Sequence, residues 1–301
     1  MNELYDKLIL RVIFTILVCF VIYIYKQAHL VLYPSIKHQL LKKFFPSKNS
    51  TDTIHLFSRI IGLGLIFSDF HINLSGGIGI AFMSMMIESL LIITLYLGSI
   101  YIIESITLYN FEYTDEILKR KNYSYAIICF AHSIGVALLI NTIVKVSMGS
   151  LIIIFFLWLF SMVLIGFGAK IFPLLSKLSF NRLLVQKNIA ISFSYTGFFW
   201  GQCLIVSSGL DHALTDIKWY SIQVITKIIL SLIITPIFQR ALIFIFNIQN
   251  EIVSKEEQDK SNSSDIEVGY GIYEGAIIFT TCFLTTVITG QITFGNFYPS
   301  Y

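Results

Sequence analysis

Ionisable side chains inside apolar runs are the residues of this chain best suited to chemistry. Glu88 and Glu104 share one such run, His132 and Lys145 another, Lys227 lies in a third and Glu274 opens a fourth. A charge near the middle of a lipid-solvated helix costs about 2.5–3.5 kcal/mol on insertion scales, so a chain keeps one for proton relay, an ion path or specific pairing. His132 is the deepest, ten residues beyond Asn122. An imidazole there can relay protons, ligate a small cation or hydrogen-bond a neighbouring helix, the last being the ordinary fate of a lone histidine. Glu104, Lys145 and Glu274 fall near run ends, where long side chains reach the interface, and Lys227 is a turn or two inside. The run holding Gln202 also carries Ser192, Ser194, Thr196 and Trp200, so one of its faces should point inward. His132, Gln202 and Glu88 are the expected intramembrane polar pathway.

The elements that must position these residues are membrane helices. Of the 301 residues 55% are hydrophobic and 13% charged, and the mean hydropathy is +0.76. Soluble domains carry about 25% charged residues, and a chain this size in water could not hide the excess apolar surface. A soluble enzyme, a nucleic-acid-binding module and a disordered tail are thereby excluded, and the lipid bilayer is the first expected partner. Apolar runs near the 20-residue length of a spanning helix fall at 8–27, 54–73, 82–106, 123–145, 148–170, 188–207, 219–240 and 270–292. The run at 54–73 is the weakest, interrupted by Arg59, Asp69 and His71, and without it seven spans remain. The fold class is an all-α polytopic bundle of about eight spans.

Basic residues set the orientation. Connections 26–53, 107–123, 170–187 and 240–268 hold 15 of the 21 Lys and Arg, while 74–81, 146–148 and 208–218 are nearly bare. By the positive-inside rule the first group faces the cytoplasm and both termini face away from it. The acidic, serine-rich stretch 251–267 lacks apolar periodicity and reads as a cytoplasmic loop, a solvated linker or a docking site for a protein partner. Cys19, Cys129, Cys203 and Cys282 lie inside apolar runs with no close pair and no histidine at metal-ligand spacing, which argues against a disulfide or zinc framework.

A repeat orders the spans. Asn122 opens one, with Ala126, Ala131 and Gly135 along it, and Asn188 opens another, with Ala190, Gly197 and Gly201; the interval is 66 residues. Each follows a basic amphipathic approach and an earlier apolar helix. Small residues on one face let helix backbones approach closely, and asparagine at a helix start is a good N-cap, or an anion contact where amides and dipole favour negative charge. Counting 66 back from Asn122 reaches Leu56, beside His55, with Gly64 eight residues on, a degenerate copy. Four helix pairs follow: 1–81, 82–147, 148–213 and 214–301, the last with the acidic loop 249–268.

This pattern resembles the bacterial inner-membrane proteins of the domain of unknown function 350 family. It is carried by Asn122, Ala126, Gly135, Asn188, Ala190, Gly197 and Gly201, with Ser124 and Ser192 where alanine is usual. It runs well over 82–207, loosely over 208–295 and poorly over 1–81. The resemblance implies tandem two-helix membrane repeats in the bacterial inner membrane and no established molecular activity, with some members placed in stress-response or polyamine-related gene clusters.

No catalytic, cofactor-binding or metal-ligating set emerges: a phosphate loop, a nucleophile elbow and a His-Glu-x-x-His zinc motif are all missing. Pro236 is the one kink signal in its span, thin support for a broken transporter helix. The expected function is non-enzymatic, a small-solute or ion transport or channel-like component without cofactors. The alternative is a non-transporting scaffold or stress-response component working through its cytoplasmic loops. Homo-oligomers are left open, and nucleic acid is not an expected partner.

Overall fold

Lipid offers no water to backbone amides, so each apolar run satisfies its N–H and C=O groups by coiling into a helix. The structure, a computed structural model, describes residues 2–68, 77–147, 150–211, 217–248 and 268–290, and shows no strand among them. The long helices are α1 (Asn2–Leu32), α3 (Ser50–Ser68), α4 (Ile78–Thr107), α5 (Tyr123–Ser147), α6 (Leu151–Leu175), α8 (Ile189–Leu210), α9 (Ile217–Phe246) and α10 (Val268–Gly290). Between α1 and α3 lies the short α2 (Lys37–Lys42), between α4 and α5 a π-helical turn (Thr114–Lys119), and between α6 and α8 the short α7 (Phe180–Val185). The acidic stretch 251–267, with its expected docking role, and Asp69 and His71 lie outside the described residues.

Seven described helices are long and apolar enough to cross a membrane; α3 is not among them. Its 19 residues nevertheless extend about 28 Å, close to the thickness of a hydrocarbon core. What lowers its hydropathy is a polar stripe of Asp52, His55, Ser58 and Arg59, all buried. The 54–73 run is weak because its polar face is covered by protein rather than lipid.

The helices fall into an inner row and an outer set. α3 packs on α5, α5 on α8 and α8 on α10 more extensively than any other pairs. α1, α4, α6 and α9 lie outside and expose apolar side chains such as Ile16, Ile152, Val163, Phe167, Ile233 and Phe244, the surface that lipid solvates. The apolar span of α8 is 72% buried and that of α9 only 6%.

Small residues make the inner row possible. A Cβ at Gly197 would overlap the carbonyl of Gly275, and one at Gly275 would overlap that of Phe193. Gly201 lies against Cys282, and Gly135 lies against Phe199 and Cys203. Ala126 and Ala190 are fully buried. The helix starts also correct the register of the first pair. α3 begins at Ser50 and α5 at Tyr123, an interval of 73, which sets Asn49 and Gly62 opposite Asn122 and Gly135. Gly62 is the packing glycine, pressed against Tyr96 and the Ser133 carbonyl, whereas Gly64 meets nothing within 4 Å. A 66-residue count misses this because α4 is longer than α6, and the segments that join the helices differ in length as well.

Gly197→Ala should therefore push α8 and α10 apart and lower stability by about 1–3 kcal/mol, read as earlier thermal unfolding of the purified protein in detergent. Gly64→Ala should leave the transition unchanged or slightly raised.

Candidate functional site

Among the described residues, a polar region interrupts the apolar packing in each half of the chain. In the first half, the final turn of α1 carries His29, and Tyr33 follows it; with Tyr25 they form an i, i+4, i+8 series on one helix face. On α3, Asp52, His55 and Arg59 follow at i, i+3 and i+7, again one face. α4 supplies Glu104, α5 supplies Cys129, and the chain after α4 supplies Tyr113.

An ion pair anchors this cluster. Arg59 Nη2 donates to both Glu104 oxygens at 2.9 and 3.0 Å and to the Tyr33 hydroxyl at 3.3 Å, while Nη1 donates to the His55 carbonyl at 2.9 Å. The Arg59 side chain is 3% exposed and that of Glu104 11%. The guanidinium also lies 5.8 Å from the centre of the Tyr33 ring, within cation–π range. Around the pair, ring centroids of Tyr33 and Tyr113 are 4.2 Å apart, those of His55 and Tyr113 4.8 Å, and those of His29 and Tyr33 4.8 Å.

Tyr113 donates to Asp52 Oδ1 at 2.5 Å. Burial and the neighbouring Asp52 carboxylate push the Tyr113 phenol well above its ordinary range, so it remains a donor. The Tyr25 hydroxyl meets His29 Nδ1 at 3.4 Å. His29, Asp52 and His55 each offer one ligand atom, and these lie within 4.8 Å of one another; His55, Glu104 and Cys129 form a second such group. His29, Asp52, His55 and Arg59 are absent from the residues expected from sequence. They are scattered over three turns of two helices, and the available signal was the i, i+3, i+7 spacing in an otherwise apolar run.

At the connector end the two repeat asparagines act as caps. Asn122 Oδ1 accepts from the amides of Ser124 and Tyr125 at 3.1 and 3.3 Å, and Asn188 Oδ1 accepts from the amide of Ala190 at 2.8 Å. Each follows a lysine in the left-handed region, Lys121 at φ 51° and Lys187 at φ 60°. The connectors also interlock. Asn122 Nδ2 donates to Glu116 at 2.7 Å and to the Leu184 carbonyl at 2.9 Å. Lys187 donates to the Arg120 carbonyl at 2.6 Å, and Arg120 donates to the Val185 carbonyl.

In the second half a cavity of about 300 Å³ opens among α6, α8, α9 and α10, with Lys177, Gln202, Ser231, Thr235, Gln239 and Glu274 on its walls. The Glu274 carboxylate accepts from Ser176 Oγ at 2.8 Å, from the Lys177 amide at 2.8 Å and from Ser194 Oγ. Pro236 lines the same cavity. It has no N–H for the Leu232 carbonyl, yet α9 runs unbroken through it.

The expected polar pathway is divided. Gln202 is on the cavity wall. His132 is fully buried between α5 and α8, its Nε2 2.8 Å from the Tyr195 hydroxyl and its ring edge-on to Tyr195 and Phe199; it is not among the cavity-lining residues. Glu88 is half-exposed on α4 and accepts from Ser84 at 3.1 Å. Glu104 and Glu274 do not reach for an interface: both are held by donors within the bundle. Lys227 is likewise buried and donates to Ser208 Oγ at 2.6 Å and to the Ser208 carbonyl at 3.0 Å. Lys145 makes an exposed ion pair with Asp211 at 3.3 Å.

A family model described as Domain of Unknown Function (DUF350) matches residues 3–144 and again 146–288. The first match takes in α1, α3, α4 and α5, the second α6, α8, α9 and α10, so the family unit is four long helices, twice the 66-residue helix pair. It extends through 1–81, where the resemblance in sequence is poor because the register there is 73 rather than 66. No curated protein and no solved structure matches the chain.

The ion pair makes a direct prediction. Glu104→Gln leaves the Arg59 charge buried without a counter-charge and should cost about 3–5 kcal/mol, measured as lost thermal stability in detergent. Arg59→Met combined with Glu104→Leu should recover most of it, since a buried pair replaced by apolar groups is often neutral.

Proposed function

The chain belongs to the domain of unknown function DUF350 family, in two tandem copies, and from that premise we propose that it is a non-enzymatic transport component for a small polar solute or ion. The observation that carries this is the cavity of about 300 Å³ inside a membrane-type bundle, with Gln202 and Glu274 on its walls. Its size is at the small end of ligand-binding cavities, and a few convergent polar groups on a largely apolar wall are the usual composition of such a site. Two amides, two hydroxyls and a carboxylate provide donors and acceptors for a small solute, and Pro236 leaves the Leu232 carbonyl without its helical partner on the same wall. Ser176 and Ser194 hold the Glu274 side chain in place, so this polar group is fixed on the cavity wall without having to move.

The proposed location is the bacterial inner membrane. α3 serves as the eighth span, the interlocked basic connectors face the cytoplasm, and both termini face away from it, as the distribution of Lys and Arg favours.

Flux of ions and small solutes into proteoliposomes tests this. The wild-type protein should conduct at least one of them, and Gln202→Leu should lower that flux at least about tenfold at unchanged reconstitution, the cost expected when a polar contact to a solute is lost. His132→Ala in parallel separates a path confined to the cavity, in which flux persists, from one continuing between α5 and α8, in which it is lost. A wild-type protein silent across a broad panel would move the function to the scaffold class and to the connectors and the 251–267 loop.

A further inference from the structure

We propose that His29, Asp52 and His55 form a binding site for a divalent first-row transition-metal ion of the zinc or ferrous class. The site lies in the first family copy and does not rest on the transport reading.

Three observations carry it. First, the three side chains come from two helices and converge: one ligand atom from each lies within 4.8 Å of the others, and the residues are 1%, 1% and 0% exposed. Second, His29 Nε2, Asp52 Oδ2 and both ring nitrogens of His55 are buried with no hydrogen-bond partner. Buried polar atoms are nearly always satisfied, and an ion taking one atom from each residue would partner three of these four at once. Third, the remaining atoms of two of these groups are already held: Tyr113 donates to Asp52 Oδ1 at 2.5 Å, and the Tyr25 hydroxyl meets His29 Nδ1 at 3.4 Å. That is the arrangement by which outer partners orient metal ligands and set the histidine tautomer.

The chemistry selects the ion. Two imidazoles with one carboxylate suit zinc and iron, whereas calcium and magnesium take oxygen ligands. Ligand atoms around a tetrahedral zinc sit about 3.4 Å apart, so side-chain shifts of about 1 Å would close the triad on it. The nearest fixed cation is Arg59, whose charge is met by both oxygens of Glu104, leaving Asp52 to offset the ion. The same engagement makes the His55–Glu104–Cys129 group the poorer site. A narrow cleft of about 10 Å³, lined by His29, Tyr33, Arg59 and Glu104, touches one member of the triad, His29, and has room for about one water.

The test uses tag-free, full-length protein in detergent, stripped with chelator and titrated with zinc or cobalt(II). Metal content after desalting should reach one ion per chain, cobalt(II) should develop the absorption of a low-symmetry nitrogen–oxygen site, and zinc should raise the thermal unfolding midpoint. Asp52→Asn and His55→Gln, near-isosteric changes, should each abolish stoichiometric binding. Tyr113→Phe should retain the ion with affinity lowered about ten- to a hundredfold, and His132→Ala should bind as wild type. X-ray absorption of the wild-type zinc form should show two imidazoles and no sulfur, a result that stands even where a variant fails to fold. Sub-stoichiometric wild-type binding, a sulfur shell, or full binding by folded Asp52→Asn and His55→Gln would overturn the assignment.

Discussion

The close approach of α3, α5, α8 and α10 is the constraint on which the remaining structure depends. In lipid there is little hydrophobic gain from joining two apolar helices, so association rests on van der Waals contact and on interhelical hydrogen bonds. Gly197 facing Gly275 and Gly62 facing Tyr96 and Ser133 bring the backbones together. Once these four helices are in contact, the polar groups on their inner faces leave lipid together and must be satisfied by one another. Trp200 donating to the Ala131 carbonyl at 3.0 Å and Ser58 meeting Ser133 at 3.1 Å are consequences of that contact.

The two family copies use the same four-helix unit differently. In the first, Arg59, Glu104 and the rings of Tyr25, His29, Tyr33 and Tyr113 fill the space between α1, α3, α4 and α5. A buried guanidinium demands a counter-charge, and the aromatic rings exclude the water that would otherwise solvate it. In the second, shorter hydroxyls and amides face one another among α6, α8, α9 and α10, and a cavity is left. Duplication thus joins a densely packed polar cluster to an open site within one bundle.

The connectors couple the copies. Arg120, Asn122 and Lys187 each bond a backbone carbonyl across the connector boundary, so the end of the bundle where the copies meet is held by interactions that no single span contains. The left-handed lysines before Asn122 and Asn188 turn the chain sharply enough for the asparagine side chain to cap the next helix.

Composition and periodicity by themselves determined that the chain is helical, lipid-solvated and repetitive, and they located its glycine faces and asparagine caps, because those properties depend on residues near one another in sequence. Asn122, Asn188, Gly197 and Gly201 could be read this way and act in helix capping and packing. The 73-residue register of the first pair was hidden, because differences in helix and loop length between the two pairs leave no mark on hydropathy. Only the tertiary structure decided which buried polar residues meet. His29 and His55 are 26 positions apart and separated by two turns and a short helix, Glu104 joins Arg59 from 45 positions away, and His132 turned toward Tyr195 instead of Gln202's cavity. Such convergence is set by which helix faces pack, and packing in three dimensions has no fixed period along the chain.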